Sequence, residues 1–427
     1  MRLRGTGYFP GCATGPARRG AAGPGEIAVL GPDGPLPALA RAPAAIVLIG
    51  AAPLSHRTIS LRRLGVPMVL LDPRDAARLG HLPVLRVDGT AGEVTAPRPC
   101  PPPPPVPAAG RWLELAGGER VALRASVSAP EDATRAREAG AQAIGLVRSE
   151  NLAPAAGGPP DQAFYRAVLA DLRAAARGLA LTVRLPDFAP DKRPAWARDL
   201  PVPASPLGLQ GARLYHHPRV WALVEALLAA MGDAAGEAER GPPLRVLIPF
   251  QSRIEEFRGW RDRVRAVVGG RIDVGAMLEV PAAVLEIDRW LEEAAFVAIG
   301  CNDLMQTLYG ADRDLAALAP WLDPYAPAAL RLLARAAAAA GPGLDRVQLC
   351  GVLPQLPGLG AALVGMGFRA FSVDPGVIPH LAAALRRQGR GELPSLARAA
   401  LAAGDGAALR RVLGVPPGGG WWSAEPG

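Results

Sequence analysis

From about residue 120 onward, short apolar runs alternate with longer stretches of helical periodicity. The runs fall at Ala122–Ser126, Ala143–Val147, Ala180–Arg184, Arg245–Ile248, Ile272–Leu278, Phe296–Gly300, Arg346–Leu349 and Ala370–Val373. Helical stretches sit between them, for example Asp161–Ala176, Pro218–Met231, Ser252–Val268 and Pro327–Ala340. Eight strands alternating with helices predict an α/β fold, a (β/α)8 barrel. A doubly wound open sheet is the alternative, but no Gly-x-Gly-x-x-Gly follows the first strand.

Two of these runs end on acids. Ile272–Leu278 leads into Glu279, and Phe296–Gly300 leads into Asn302 and Asp303, with the amphipathic Pro281–Ala295 between them. Parallel strands one β-α unit apart have their C-terminal ends side by side. Glu279 and Asp303 would then converge, which suits a hard divalent cation such as Mg²⁺. The competing reading, helix caps or pairs with surface arginines, is weakened by the polar neighbours Asn302 and Arg313. Barrel sites lie at strand C-termini. The residues expected there are Arg148, Glu150, Arg184, Pro249–Gln251, Glu279, Asn302, Asp303, Cys350 and Ser372.

Ahead of this pattern stands a different one. Residues 1–98 read as a small module with an apolar strand at Ala44–Gly50, a helix from about Arg57 to Leu64, a further strand, and a hairpin around Gly89 and Gly92. Residues 99–110 include PCPPPPPVP, an extended, semi-rigid linker expected to hold two bodies apart while one swings. The barrel occupies 111–390, and 391–427 is a tail without a motif.

The net charge of +8 is dispersed, and no motif for nucleic acid accompanies it. Of 47 basic residues a single one, Lys192, is lysine. A compact ammonium kept among arginines suits a tight phosphate contact, and chance survival of one lysine is the other reading. Cys12, Cys100, Cys301 and Cys350 are widely spaced, form no CxxC, and favour the reduced state; Cys12 and Cys100 carry no signal. The start MRLRGTGYFPGC lacks an apolar signal region, and no run approaches the roughly 18 apolar residues of a membrane span. The expected location is the cytoplasm, without membrane or nucleic acid as partner.

Seven segments of the barrel, in order, resemble those of the phosphoenolpyruvate-utilising enzymes: pyruvate phosphate dikinase, phosphoenolpyruvate synthase and Enzyme I of the sugar phosphotransferase system. IGLVRSENL resembles GLxRTEFL, and TVRLPDFAPDK resembles xRTxDxGxDK. MLEVPAA, IGCNDLMQ and DRD resemble MIEVPSA, GTNDLTQ and DRxN. LCGVLPQ and FSVDPGVIP resemble MCGELAG and FSMSPxxIP. In the module, APLSHRTISLRRLGVP is similar to the swivelling phosphohistidine domain's GGxTSHxAIxARxLGxP, with His56 at the phosphorylated position. YFPGCATGPA and VDGTAGEVT resemble that domain's opening and closing motifs.

The resemblance implies phosphoryl exchange between phosphoenolpyruvate or pyruvate and His56. It implies Mg²⁺ on Glu279 and Asp303, and Arg148, Arg184, Lys192, Arg213 and Arg313 on phosphoryl and carboxylate groups. Asn302 would position the phosphate, and Cys350 would protonate the enolate carbon. It also implies a homodimer through the barrel. Some positions depart from the family pattern: Ala51 and Ala52 replace the two glycines, Leu54 the threonine, Gln210 an arginine and Val352 a glutamate. These changes leave a second reading, a catalytically degenerate protein that binds phosphoenolpyruvate or pyruvate and regulates. The family's nucleotide-binding and carrier-binding domains have no counterpart here, so a separate nucleotide-binding or phospho-acceptor chain is the expected partner.

Overall fold

The structure, a computed structural model, describes residues 2–31, 41–79, 83–107, 112–153, 157–188, 195–197, 207–237, 242–389 and 391–415. Lys192 and His81 lie outside them.

The N-terminal module is one eight-stranded mixed sheet. Its strands are β1 (Arg2–Arg4), β2 (Thr6–Phe9), β3 (Cys12–Arg19), β4 (Ile27–Leu30), β5 (Ala45–Ile49), β6 (Met68–Leu71), β7 (Val84–Asp88) and β8 (Glu93–Thr95). β3 through β6 run parallel, and β7 and β8 form the expected antiparallel hairpin. The period-2 alternation of strand side chains sorts this sheet into two cores. Ile46 and Leu48 of β5 join one cluster; Ala45, Val47 and Ile49 join another with Leu3, Leu85 and Val94.

The remaining strands are β9 (Leu113–Glu114), β10 (Arg120–Val127), β11 (Ile144–Arg148), β12 (Leu181–Arg184), β13 (Leu244–Gln251), β14 (Asp273–Leu278), β15 (Val297–Gly300), β16 (Val347–Cys350) and β17 (Ala370–Val373). β10 to β17 pair in parallel, and β10 bonds both β11 and β17, which closes an eight-stranded (β/α)8 barrel. All eight predicted strands are present, and each observed span overlaps its predicted run. Helices Gln162–Ala176, Pro218–Glu237, Ile254–Val268 and Pro327–Ala340 lie where helical periodicity predicts them. The stretch between β14 and β15 is broken into two helices at Glu286, whose φ of −103° and ψ of 27° leave the α region.

The module does not stand apart from the barrel, as the linker composition suggests. Tyr8, Phe9, Leu54 and Leu61 belong to the same buried cluster as the barrel's core residues. Pro101–Pro104 line a cavity of about 570 Å³ together with Phe9 of the module and His380 of the barrel. Cys12 and Cys100, read above as uninformative and reduced, instead form a disulfide with Cα atoms 5.6 Å apart. Spacing along the chain could not reveal this pair, because 88 residues and most of the module's strands separate the two cysteines. The segment after residue 390 carries two helices, Glu392–Ala402 and Gly406–Val412, and Arg410 anchors the second to Asp323 through two 2.7 Å bonds. Residues 416–427 lie outside the described ones. Among the described residues, no helix is long and apolar enough to cross a membrane.

Candidate active site at the barrel mouth

Parallel register builds the acid pair. Leu278 lies opposite Ile299, so Glu279 emerges beside Gly300, the last residue before the helix Cys301–Tyr309. A Cβ at Gly300 would stand 2.4 Å from Glu279 Oε1, so the glycine makes room for the carboxylate. Glu279 is 2 % exposed; its Oε2 accepts from Phe250 N at 3.0 Å, and its backbone carbonyl accepts from Thr307. Phe250 holds a φ of +50°, a strained value for a bulky residue. Burial, then the like charges of Asp303 and Asp187, push the Glu279 carboxyl well above the usual range, against Arg184 and the Phe250 N–H.

Among the described residues, no three His, Cys, Asp or Glu side chains form a cage for a metal ion. Two converging carboxylates do fit a cation that keeps waters and takes its other ligands from a substrate phosphate. A dication between them would relieve the repulsion that Glu279 bears.

Around the acids lie the cations. Arg148 and Arg184 are opposite each other on β11 and β12. Arg184 is bonded to Glu150 and lies 3.1 Å from Asp187. Burial lowers its pKa, but Glu150, Asp187 and Glu279 outweigh that and hold it above the ordinary arginine value. Its Nε is buried without a partner. Arg148 carries no side-chain ion pair among the described residues. Burial pulls its pKa down, aided by Arg184 and opposed by Asp374, Glu150 and Cys350. A desolvated cation without a salt bridge favours an incoming anion.

Asn302 Oδ1 accepts from Val352 N at 2.9 Å, and a Cβ at Gly351 would stand 2.7 Å from that oxygen. The backbone of Val352 thus positions Asn302, whatever its side chain. Cys350 is 1 % exposed and bonds the carbonyl of Ile299 at 3.3 Å. Burial, assisted by Glu279, pushes its thiol up to about 12, so it is protonated at neutral pH. Arg213 stands one step back, over the Phe250 ring at 5.1 Å and bonded to Ser252. Gln210 is 8 % exposed, with Nε2 buried and unpartnered. Ser372 lies opposite Cys350 in the strand register, fully buried and hydrogen-bonded with Ser126 Oγ at 2.9 Å.

His56 comes to this mouth from the module. It opens the helix His56–Leu61, whose N-cap Ser55 accepts from Thr58 N at 3.2 Å. The ring Nε2 lies 2.6 Å from Arg313 Nη2, and that guanidinium also donates to Asp303 Oδ1 at 2.9 Å and to Leu54 O at 3.2 Å. On the other side, Asp314 Oδ2 lies 2.6 Å from Nδ1, and Asp314 Oδ1 accepts from His56 N at 2.8 Å. Partial desolvation works against the Asp314 carboxylate, which is 42 % exposed, but the bonds to His56 and the charge of Arg313 bring it down to about 2.

A second anchor fixes the same docking. Arg62, 1 % exposed, donates to Asp374 at 2.6 Å, to Gln355 at 2.8 Å and to the carbonyl of Tyr8. Sequence reasoning left Asp314, Arg62, Asp374 and Gln355 without roles. The first three are charged residues inside the recognised segments, and that was the available signal.

Comparison with known proteins agrees with this geometry. A family model described as "PEP-utilising enzyme, PEP-binding domain" matches residues 111–390. The chain is 32% identical over 367 residues to a phosphoenolpyruvate-protein phosphotransferase of Streptomyces coelicolor, covering 82% of this chain and 64% of that protein. It is 32% identical over 381 residues to a multiphosphoryl transfer protein of Rhodobacter capsulatus, covering 84% of this chain and 45% of that one. A phosphoenolpyruvate-protein phosphotransferase of Haloferax volcanii is 28% identical over 386 residues. The chain therefore spans between about half and two thirds of the length of these relatives. A barrel with paired acids and buried arginines at its mouth, matched by this domain over most of its length, belongs to the family of phosphoenolpyruvate-utilising enzymes.

Proposed function

We propose that this protein is a Mg²⁺-dependent phosphotransferase that moves a phosphoryl group between phosphoenolpyruvate and His56, and from there to a separate acceptor chain. The observation that carries this is the contact of His56 Nε2 with Arg313, which also holds Asp303. A nucleophile from one domain meets the anion-binding groups of another across a single guanidinium.

In this reading Glu279 and Asp303 hold Mg²⁺, which would neutralise charge on the substrate oxygens when bound. Arg148 and Arg184 bind the carboxylate and phosphate oxygens, with Asn302 and Lys192 as further donors and Arg213 behind them. An incoming phosphoryl group takes the Arg313 N–H bond from Nε2 and leaves the ring nitrogen facing phosphorus. The Nε2 lone pair forms the N–P bond as the P–O bond to the enolate oxygen breaks, and that oxygen leaves with the bonding pair. The enolate carbon then takes its proton from Cys350, whose thiolate is reprotonated from solvent. A thiol held near 12 is protonated beforehand, as this step requires. A separate acceptor chain and a dimer through the barrel are parts of the same proposal.

The test is incubation with Mg²⁺ and phosphoenolpyruvate labelled on phosphorus. Acid-labile label on the wild type and none on His56→Ala is the expected result. Binding of phosphoenolpyruvate without label would favour the degenerate, regulatory reading that Leu54, Gln210 and Val352 suggest.

A further inference from the structure

The bond between His56 and Asp314 spans 258 residues and two domains. It therefore forms when the module sits on the barrel and is broken when it leaves. The ring's other nitrogen is equally constrained. A guanidinium has five N–H donors and no acceptor. Arg313 can only donate to Nε2, so Nε2 must present its lone pair. The proton of a neutral ring is then on Nδ1, where Asp314 accepts it. Asp314 is itself held by its backbone N–H, which donates to Asp312 at 2.9 Å, and by its second oxygen on His56 N.

We propose that Asp314 is a positioning residue that sets the reactive tautomer of His56 only while the module is docked. This rests on the phosphotransfer reading above and adds where the nucleophile gains its reactivity. Docked, the lone pair of Nε2 faces the mouth; undocked, the ring loses the carboxylate that kept the proton on Nδ1. As the N–P bond forms and the P–O bond breaks, the Nδ1 proton stays on the ring, and the carboxylate stabilises the positive charge that develops there. The barrel thus supplies both the substrate and the group that readies its acceptor, which disfavours reaction of His56 away from the barrel.

Substitution separates positioning from mere structure. Asp314→Asn is nearly isosteric, and its oxygen can still accept from His56 N, but its amide donates toward Nδ1 and drives the proton to Nε2, which breaks the bond from Arg313 to that nitrogen. Asp314→Ala removes the contact without imposing the wrong tautomer. The measurement pairs ¹⁵N shifts of the ring nitrogens in the resting full chain with the single-turnover rate of His56 phosphorylation by phosphoenolpyruvate. We expect Nδ1–H in the wild type, a shift toward Nε2–H in Asp314→Asn, and a rate at least about a hundredfold lower there. Asp314→Ala should lose less, with Asp314→Glu partly restoring the rate and phosphoenolpyruvate affinity unchanged in all three. A wild-type ring protonated on Nε2, or an Asn variant no slower than the Ala variant, overturns the assignment. If the wild type takes no phosphoryl group at all, the phosphotransfer reading fails, while the ring shifts still decide the role of Asp314.

Discussion

Glu279 and Cys350 are the residues whose surroundings most restrict what they can do. Glu279 is buried against like charges and fits only because Gly300 has no side chain. Gly300→Ala should displace the carboxylate and weaken divalent-cation affinity by roughly ten- to a hundredfold, with far-UV circular dichroism unchanged. Titration with Mn²⁺ would measure it, and unaltered affinity would mean Glu279 is not a ligand. Cys350, pushed up to about 12, is almost wholly thiol at pH 7 to 8. The sign is that of a buried neutral group: thiolate, and with it reactivity, grows only as pH rises toward that value. Iodoacetamide should modify it roughly a thousandfold more slowly than an exposed thiol, judged by the usual thiol pKa near 8.5. Fast modification of folded protein at neutral pH would contradict its burial. Glu279, Asp303 and Cys350 were legible because each closes an apolar run. Asp314 was not: it stands in a polar turn, and its partner is a residue 258 positions away.

At the scale of elements, the strands were the most legible feature. Parallel barrel strands are buried on both faces and read as continuous apolar runs. The helix after β14 was harder to read, since its periodicity continues across the break at Glu286. The tail helices escaped for another reason: Ala-rich segments show helical propensity without a motif, and their docking depends on Arg410 meeting Asp323. The element that decides function is His56–Leu61 with the turn Arg62–Leu64 after it, which presents His56 at one end and the Arg62 anchor at the other. Breaking a buried ion pair by removing one partner costs about 3–5 kcal/mol. Asp374→Ala should therefore release the module without touching its own core, since Asp374 belongs to the barrel. A label pair on module and barrel would read the increased separation by energy transfer. An unchanged distance would assign docking to the apolar contact alone.

The whole molecule is a module seated on a barrel, joined by a linker whose Cys100 is bonded back to Cys12 of the module. The seated arrangement was not legible in the chain, because polyproline signals separation while Tyr8, Phe9 and Leu54 signal only burial. The disulfide closes a loop that runs from β3 to the linker, and a loop of that length stabilises by up to about 4–5 kcal/mol in the chain-entropy view. Reductant should lower the melting temperature of the wild type and leave a Cys100→Ser variant, already lower, unaffected; equal melting with and without reductant would mean the bond contributes nothing. The seated arrangement matters because it brings His56 to Arg313 and Asp303. The most direct measurement is a ³¹P–¹⁵N correlation on ring-labelled protein given Mg²⁺ and phosphoenolpyruvate. Phosphorus coupled to Nε2 of His56 is the predicted result; phosphoenolpyruvate bound at the mouth, with both nitrogens of His56 uncoupled, would contradict it.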